Sequence, residues 1–116
     1  MRIAGIGCRR GTPLAALVAA LEEAGGADAL ATIPARAAEV GALARACAVP
    51  LHLVQVAGIV TPTRSARIAA SFRTGSVAEA AAIAASRDRG GGRLIQTRRV
   101  FGSAARAVTI AIAEVP

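Results

Sequence analysis

Arg2-Ile3-Ala4-Gly5-Ile6-Gly7-Cys8-Arg9-Arg10-Gly11-Thr12-Pro13 is the stretch from which the fold is read. It begins as an apolar run with no polar face, which predicts a central strand over residues 2–7. Glycines break the run, two arginines turn it, and Thr12-Pro13 stands just ahead of Leu14, Leu17, Val18 and Leu21 at helical spacing. Thr12 suits a helix cap and Pro13 the first helical position. A strand that enters a helix through a short glycine-bearing loop turns backbone N–H groups and positive dipole charge toward an anion. The expectation is one wall of a site for an acidic small molecule, built on Gly7, Cys8, Arg9, Arg10, Gly11 and Thr12.

Beyond that stretch the helix over 13–24 ends at Gly25-Gly26, and a short second strand over 30–33 closes at Pro34. A second helix over 36–47 turns Val40, Leu43, Ala44 and Cys47 inward. Pro50 separates it from a third strand over 51–55, in which His52 reads as a packed or sheet-surface residue. Residues 58–75 break the rhythm, mixing a turn with one or two helical turns over 64–71. Ser76-Val77-Ala78-Glu79 then reads as a capping box, with the Glu79 side chain reaching back to the cap N–H. The helix it opens runs to about Ser86 and is nearly all alanine, so it can lie close against a sheet. Residues 93–97 and 105–115 make the fourth and fifth strands, joined too closely for a crossover helix and therefore antiparallel. The predicted fold class is α/β: a single three-layer α/β/α domain over 1–116. Its sheet is five-stranded, mixed and mainly parallel, ending in an antiparallel pair.

Composition narrows the chemistry. All 14 basic residues are arginine, against 7 acidic ones, so a Schiff-base lysine is excluded and anionic partners are favoured. Two phenylalanines and no Trp or Tyr argue against a stacking platform for nucleic acid. No Walker pattern, dinucleotide fingerprint or metal-ligand spacing occurs, so no metal and no cofactor is expected. Cys8 and Cys47 are too few for a disulfide scaffold or a zinc site. Cys47 reads as core, while Cys8 is open between a buried thiol and a nucleophile. No apolar run reaches membrane-spanning length and no leader is seen, which predicts a cytoplasmic protein with no membrane partner.

In an open α/β sheet, ligands bind outside the carboxyl ends of the strands. That edge would gather Arg9 and Arg10 with the segment carrying Arg64 and Arg67, the helix start at Gly75 and Ser76, and Arg73. If the fourth strand is parallel to the first, Arg98 and Arg99 arrive there too. Arginine forks bind carboxylates bidentately, so a ligand with several carboxylates is implied; the plain alternative is a solvated arginine surface. Glu79 is the one carboxylate near this edge, and helix capping would consume it. The candidate catalytic groups are therefore Cys8 and Glu79.

Three blocks together resemble the CobE family, which is also the C-terminal domain of the CbiG proteins of cobalamin biosynthesis. They are Gly5 to Thr12, Thr74-Gly75-Ser76-Val77-Ala78-Glu79-Ala80-Ala81-Ala82, and Val108-Thr109-Ile110-Ala111-Ile112-Ala113. The resemblance covers essentially the whole chain. It implies a role in the corrin pathway, with a precorrin or corrinoid intermediate as ligand and other pathway enzymes as partners. CbiG proteins are cobalt-precorrin-5A hydrolases that open a lactone and release acetaldehyde, so a hydrolase-like activity is the alternative it implies. The family's opening loop falls on Gly7 to Thr12, its Gly-Ser-Val block on Gly75, Ser76, Val77 and Glu79, and a family lysine on or near Arg98. The family's Asp after the second strand is missing here, where Thr32-Ile33 are followed by Pro34, Ala35 and Arg36. A small basic nucleic-acid-binding domain and a partner-binding domain are the other readings. Against the former, Arg36, Arg45, Arg87 and Arg106 read as dispersed.

Overall fold

The computed structural model describes residues 1–72 and 74–116. Five strands, β1 (Arg2–Cys8), β2 (Ala29–Thr32), β3 (Leu51–Leu53), β4 (Arg93–Phe101) and β5 (Val108–Glu114), form one sheet in the order β3-β2-β1-β5-β4. β1 pairs in parallel with β2 and β2 with β3, whereas β5 runs antiparallel to both β1 and β4. Four strands therefore point one way, β4 is parallel to β1, and the sheet ends in the expected antiparallel pair.

Helices α1 (Leu14–Glu23) and α2 (Ala37–Cys47) cover one face of the sheet, and α4 (Val77–Arg87) covers the other. The short helix α3 (Ala66–Phe72) precedes α4. On the first face Leu17, Val40 and Leu43 meet Leu30, Ile110 and Ile112, all fully buried. The period-2 alternation of β5 sends Val108, Ile110 and Ile112 to that side. On the second face Ile3, Ala29 and Ala31 meet Val77, Ala80, Ala81 and Ala85. Burying a Leu or Ile side chain contributes about 1.5–3 kcal/mol, and a single methyl group only about 0.8 kcal/mol. The alanine layer compensates by closeness. A Cβ on Gly5 would overlap the Ala78 carbonyl, so the α4 backbone rests directly on β1.

Several local expectations are corrected. α1 begins at Leu14 behind an extended Pro13, and Thr12 makes no helix cap; its hydroxyl instead donates to the Arg9 carbonyl at 2.7 Å and closes the loop. Cys47 does not face the core. It lies in the last turn of α2, where Arg45, Ala46, Cys47 and the following Ala48 are all exposed. β4 continues to Phe101 rather than stopping at Thr97, and β5 starts later, at Val108. Arg73, grouped with the site on sequence grounds, lies outside the described residues. Among the described residues no helix is long and apolar enough to cross a membrane.

Candidate functional site

The carboxyl ends of β1, β2 and β4 open onto a cleft of about 290 Å³ on the α4 side of the sheet. Gly7, Cys8 and Arg9 come from the end of β1, Ile33 and Arg36 follow β2, and Arg98 and Val100 come from β4. Ser65, Arg67, Ile68 and Phe72 form the α3 wall, Ser76, Val77 and Ala78 open α4, and Ala104, Ala107 and Thr109 complete the rim. The cleft lies at the sheet edge where ligands bind open α/β folds.

Ser76 caps α4 as its sequence predicts, its Oγ accepting the Glu79 N–H at 3.3 Å. The Ala78 N–H has no acceptor among the described residues. It sits beside Gly7, where a Cβ would come within 3.8 Å of it, so the absence of a side chain at residue 7 keeps this donor uncovered.

Four arginines, Arg9, Arg36, Arg67 and Arg98, line the cleft, and no acidic side chain does among the described residues. Arg36 is the most firmly held. Its Nε donates to the Cys8 carbonyl and its Nη1 to the Ala35 carbonyl, both at 2.9 Å. Between the cations lie Ile33, Ile68, Phe72, Val77 and Val100, an apolar lining among charged walls.

The two candidate catalytic groups are placed differently. Cys8 is half-buried in the wall. Burial pushes its thiol above the ordinary value of 9.0, outweighing a hydrogen bond with Thr12; the Glu39 charge adds to the rise and Arg36 opposes it. The thiol is therefore protonated at neutral pH and is a poor nucleophile. Glu79 is fully buried and does not line the cleft. Its Oε1 accepts the Thr63 N–H at 3.0 Å and the Thr63 hydroxyl at 2.8 Å, and its Oε2 accepts the Arg98 N–H at 2.9 Å. The capping box is thus only half made, because the Glu79 carboxylate turns away from Ser76. Three donors from two other segments converge on it, against the single one that capping offers.

Of the residues singled out in the sequence, Gly7, Cys8, Arg9, Arg67, Ser76 and Arg98 meet at the cleft. Arg10, Gly11, Thr12, Arg64 and Gly75 do not line it. The Gly11 N–H donates to Glu39 Oε2 at 2.9 Å, so it is spent inside the protein. A Cβ on Gly75 would overlap Thr61 Oγ1 and the Thr63 carbonyl, so its lack of a side chain serves the packing of the preceding loop. Arg36, dispersed among the arginines of the sequence, belongs to the cleft. The signal was present, since Arg36 follows the carboxyl end of the second strand as Arg9 follows that of the first. His52 lies outside the lining, on an edge strand with its Nε2 2.6 Å from Arg89 Nη2.

The family model described as "Cobalamin synthesis G C-terminus" matches residues 2–113. The chain belongs to this family. Two solved structures of cobalamin-biosynthesis proteins agree with that. CobE, described as a protein from the cobalamin (vitamin B12) biosynthetic pathway, is 30% identical with a TM-score of 0.73, over 97% of this chain and 92% of that one. The cobalamin biosynthesis protein chiG from Agrobacterium tumefaciens str. C58 is 31% identical with a TM-score of 0.68, over 99% of this chain and 98% of its own. No curated protein matches the chain. Membership of the Cobalamin synthesis G C-terminus family supports a role in cobalamin biosynthesis. All three blocks that carry the resemblance reach the cleft, through Gly7 to Arg9, Ser76 to Ala78, and Thr109.

Proposed function

We propose that this protein binds a polycarboxylate tetrapyrrole intermediate of corrin synthesis, of precorrin type, at the arginine cleft. The observation that carries this reading is the lining itself: Arg9, Arg36, Arg67 and Arg98 around Ile33, Ile68, Phe72 and Val100, with no acidic side chain among the described residues. A precorrin is an apolar macrocycle edged with acetate and propionate carboxylates, and both halves of that chemistry have a counterpart here. Guanidinium forks take carboxylates in pairs, and apolar side chains take the ring face. At about 290 Å³ the cleft is smaller than most small-molecule pockets, which run to roughly 1,000 Å³, so it grips one edge of the macrocycle and leaves the rest outside. A ligand held by one edge is suited to transfer to another enzyme of the pathway.

Binding and delivery are favoured over hydrolysis of a lactone. Hydrolysis needs a group that activates water, and neither candidate suits that role. The Cys8 thiol is held in its protonated form, and the Glu79 carboxylate is buried and engaged by three protein donors.

The test is an absorbance titration with uroporphyrin and precorrin-type intermediates at moderate salt, with duplex DNA as competitor. Saturable tetrapyrrole binding that DNA does not displace supports the reading. Indifference to tetrapyrroles together with salt-sensitive DNA binding overturns it and makes the arginines a nucleic-acid surface.

A further inference from the structure

We infer that Glu79 is the positioning residue of this cleft, aiming the arginines of two opposite walls through the backbone of Arg98 and the Thr63 loop without touching the ligand. The inference rests on the tetrapyrrole reading for what the arginines hold, and on geometry alone for what Glu79 does.

One wall is β4. β4 shifts register against β5 twice; in the second shift Gln96 stands opposite Ile112 and Arg99 opposite Ile110, so three steps along β4 match two along β5 and this stretch carries one extra residue. Such a bulge re-aims side chains and leaves a main-chain group without its ladder partner. The Arg98 N–H lies in this irregular stretch, and its acceptor is Glu79 Oε2. Arg98 consequently lines the cleft, while the neighbouring Arg99 guanidinium stacks over the Phe101 ring, 4.8 Å from its centre.

The other wall is α3, none of whose residues is buried. Ile68 and Phe72 rest half-buried against the α4-side core, and hydrogen bonds fix the base from which the helix starts. They include the two from Thr63 to Glu79, the Ser65 N–H to the Gly75 carbonyl at 2.7 Å, the Thr74 hydroxyl to the Ile59 carbonyl at 2.6 Å, and a longer one from Arg98 Nη2 to the Arg64 carbonyl at 3.5 Å. Arg67 rides on that helix. One fully buried carboxylate thus fixes the base of Arg67 with one oxygen and the backbone of Arg98 with the other. Packing alone would be served as well by an apolar side chain, since burying a carboxylate carries a large desolvation cost.

The experiment compares Glu79→Gln, Arg98→Ala and the double variant in two measurements: uroporphyrin titration, and amide hydrogen exchange without ligand. Arg98→Ala keeps its main-chain N–H and so keeps the Glu79 bond. In the wild-type background Glu79→Gln is expected to weaken binding about tenfold, the loss of one well-aimed charge-assisted contact. In the Arg98→Ala background its effect is expected to be clearly smaller, because the side chain it aims is gone. Effects that simply multiply would overturn the assignment, since a general loss of stability produces that result. In exchange, Glu79→Gln is expected to release residues 63–72 and Arg98 together while the amides of α1 and α2 stay protected. Unchanged protection at both segments overturns the inference whatever the ligand. Joint release in a protein that never binds uroporphyrin upholds the Glu79 tie and refutes the tetrapyrrole reading instead. Should Glu79→Gln not fold, Thr63→Val removes one bond. It is expected to loosen 63–72 alone, and no loosening there overturns the inference.

Discussion

The Glu79 carboxylate and the Arg98 main-chain N–H, 19 residues apart in sequence, lie 2.9 Å apart in the fold. A side chain from the first turn of a helix thereby closes the gap that a bulge leaves in an edge strand. That link joins the motif at the start of α4 to the arginine on β4.

Gly5 and Gly7 differ in what a methyl group would meet. At Gly5 it would overlap the Ala78 carbonyl, whereas at Gly7 its nearest neighbours are 3.7 Å or more away. Gly5→Ala is expected to cost more than the roughly 1–3 kcal/mol of ordinary overpacking, because the obstacle is backbone. Gly7→Ala is expected to fold normally but to weaken uroporphyrin binding by covering the Ala78 N–H. Thermal unfolding and titration of both variants check this, and equal losses of stability would contradict it.

Arg9 and Arg10 are adjacent, yet only Arg9 lines the cleft. Arg9→Ala is expected to reduce tetrapyrrole affinity about tenfold, as loss of a charge-assisted contact does, while Arg10→Ala leaves it within about twofold. Equal effects in a titration at one salt concentration would mean that general positive charge, rather than the cleft, attracts the ligand.

Acid is expected to weaken the fold in two stages. Burial, followed by the Arg89 charge, lowers the pKa of His52 from its ordinary 6.5, with Asp88 opposing. The unfolded chain then takes up the proton more readily, so the stability from neutral His52 is complete above pH 6.5 and declines as pH falls toward the folded value. The Glu39 carboxyl is held below its ordinary 4.5, first by the Gly11 N–H and then by its own N–H, Arg36 and Arg10. Its contribution is complete above 4.5 and is lost as pH falls through the folded value. Urea unfolding at pH 7.5 and 5.5 should show a smaller loss in His52→Gln than in wild type. The same loss in both would remove His52 from this account.

Ala48 ends α2 in the left-handed region, at φ 55° and ψ 44°. A side chain there costs about 1–2 kcal/mol, from which glycine's greater unfolded-state freedom subtracts about 0.4–1 kcal/mol. Ala48→Gly is therefore expected to stabilise the protein by about 0.5–1 kcal/mol, measured by urea denaturation; a destabilised variant would contradict this.

The sheet and its helices were legible in the sequence because their signals are local. The apolar run at residues 2–7, the period of Leu14, Leu17 and Leu21, and the alternation in β5 each state a conformation within a few residues. The cap at Ser76 was legible for the same reason. The direction of the Glu79 carboxylate was not, because its partners stand 16 and 19 residues away and are brought to it by a loop and a bulge. The place of Arg36 in the cleft was not legible, because in sequence it is one of several scattered arginines. Only the sheet order brings it beside Cys8. Cys47 keeps the helical period of Val40, Leu43 and Ala44, but a period does not say how far along the helix its buried stripe extends.

The Gly5–Ala78 contact divides the molecule into two halves of different tolerance. Where leucines, isoleucines and valines interlock between α1, α2 and the sheet, neighbouring side chains can trade volume with one another. Where α4 crosses β1 there is little to trade, since the helix backbone already stands against Gly5. Random substitution should therefore accumulate on the far face while the near face keeps its shape. The cleft is cut into the near face, on the unyielding side of the sheet.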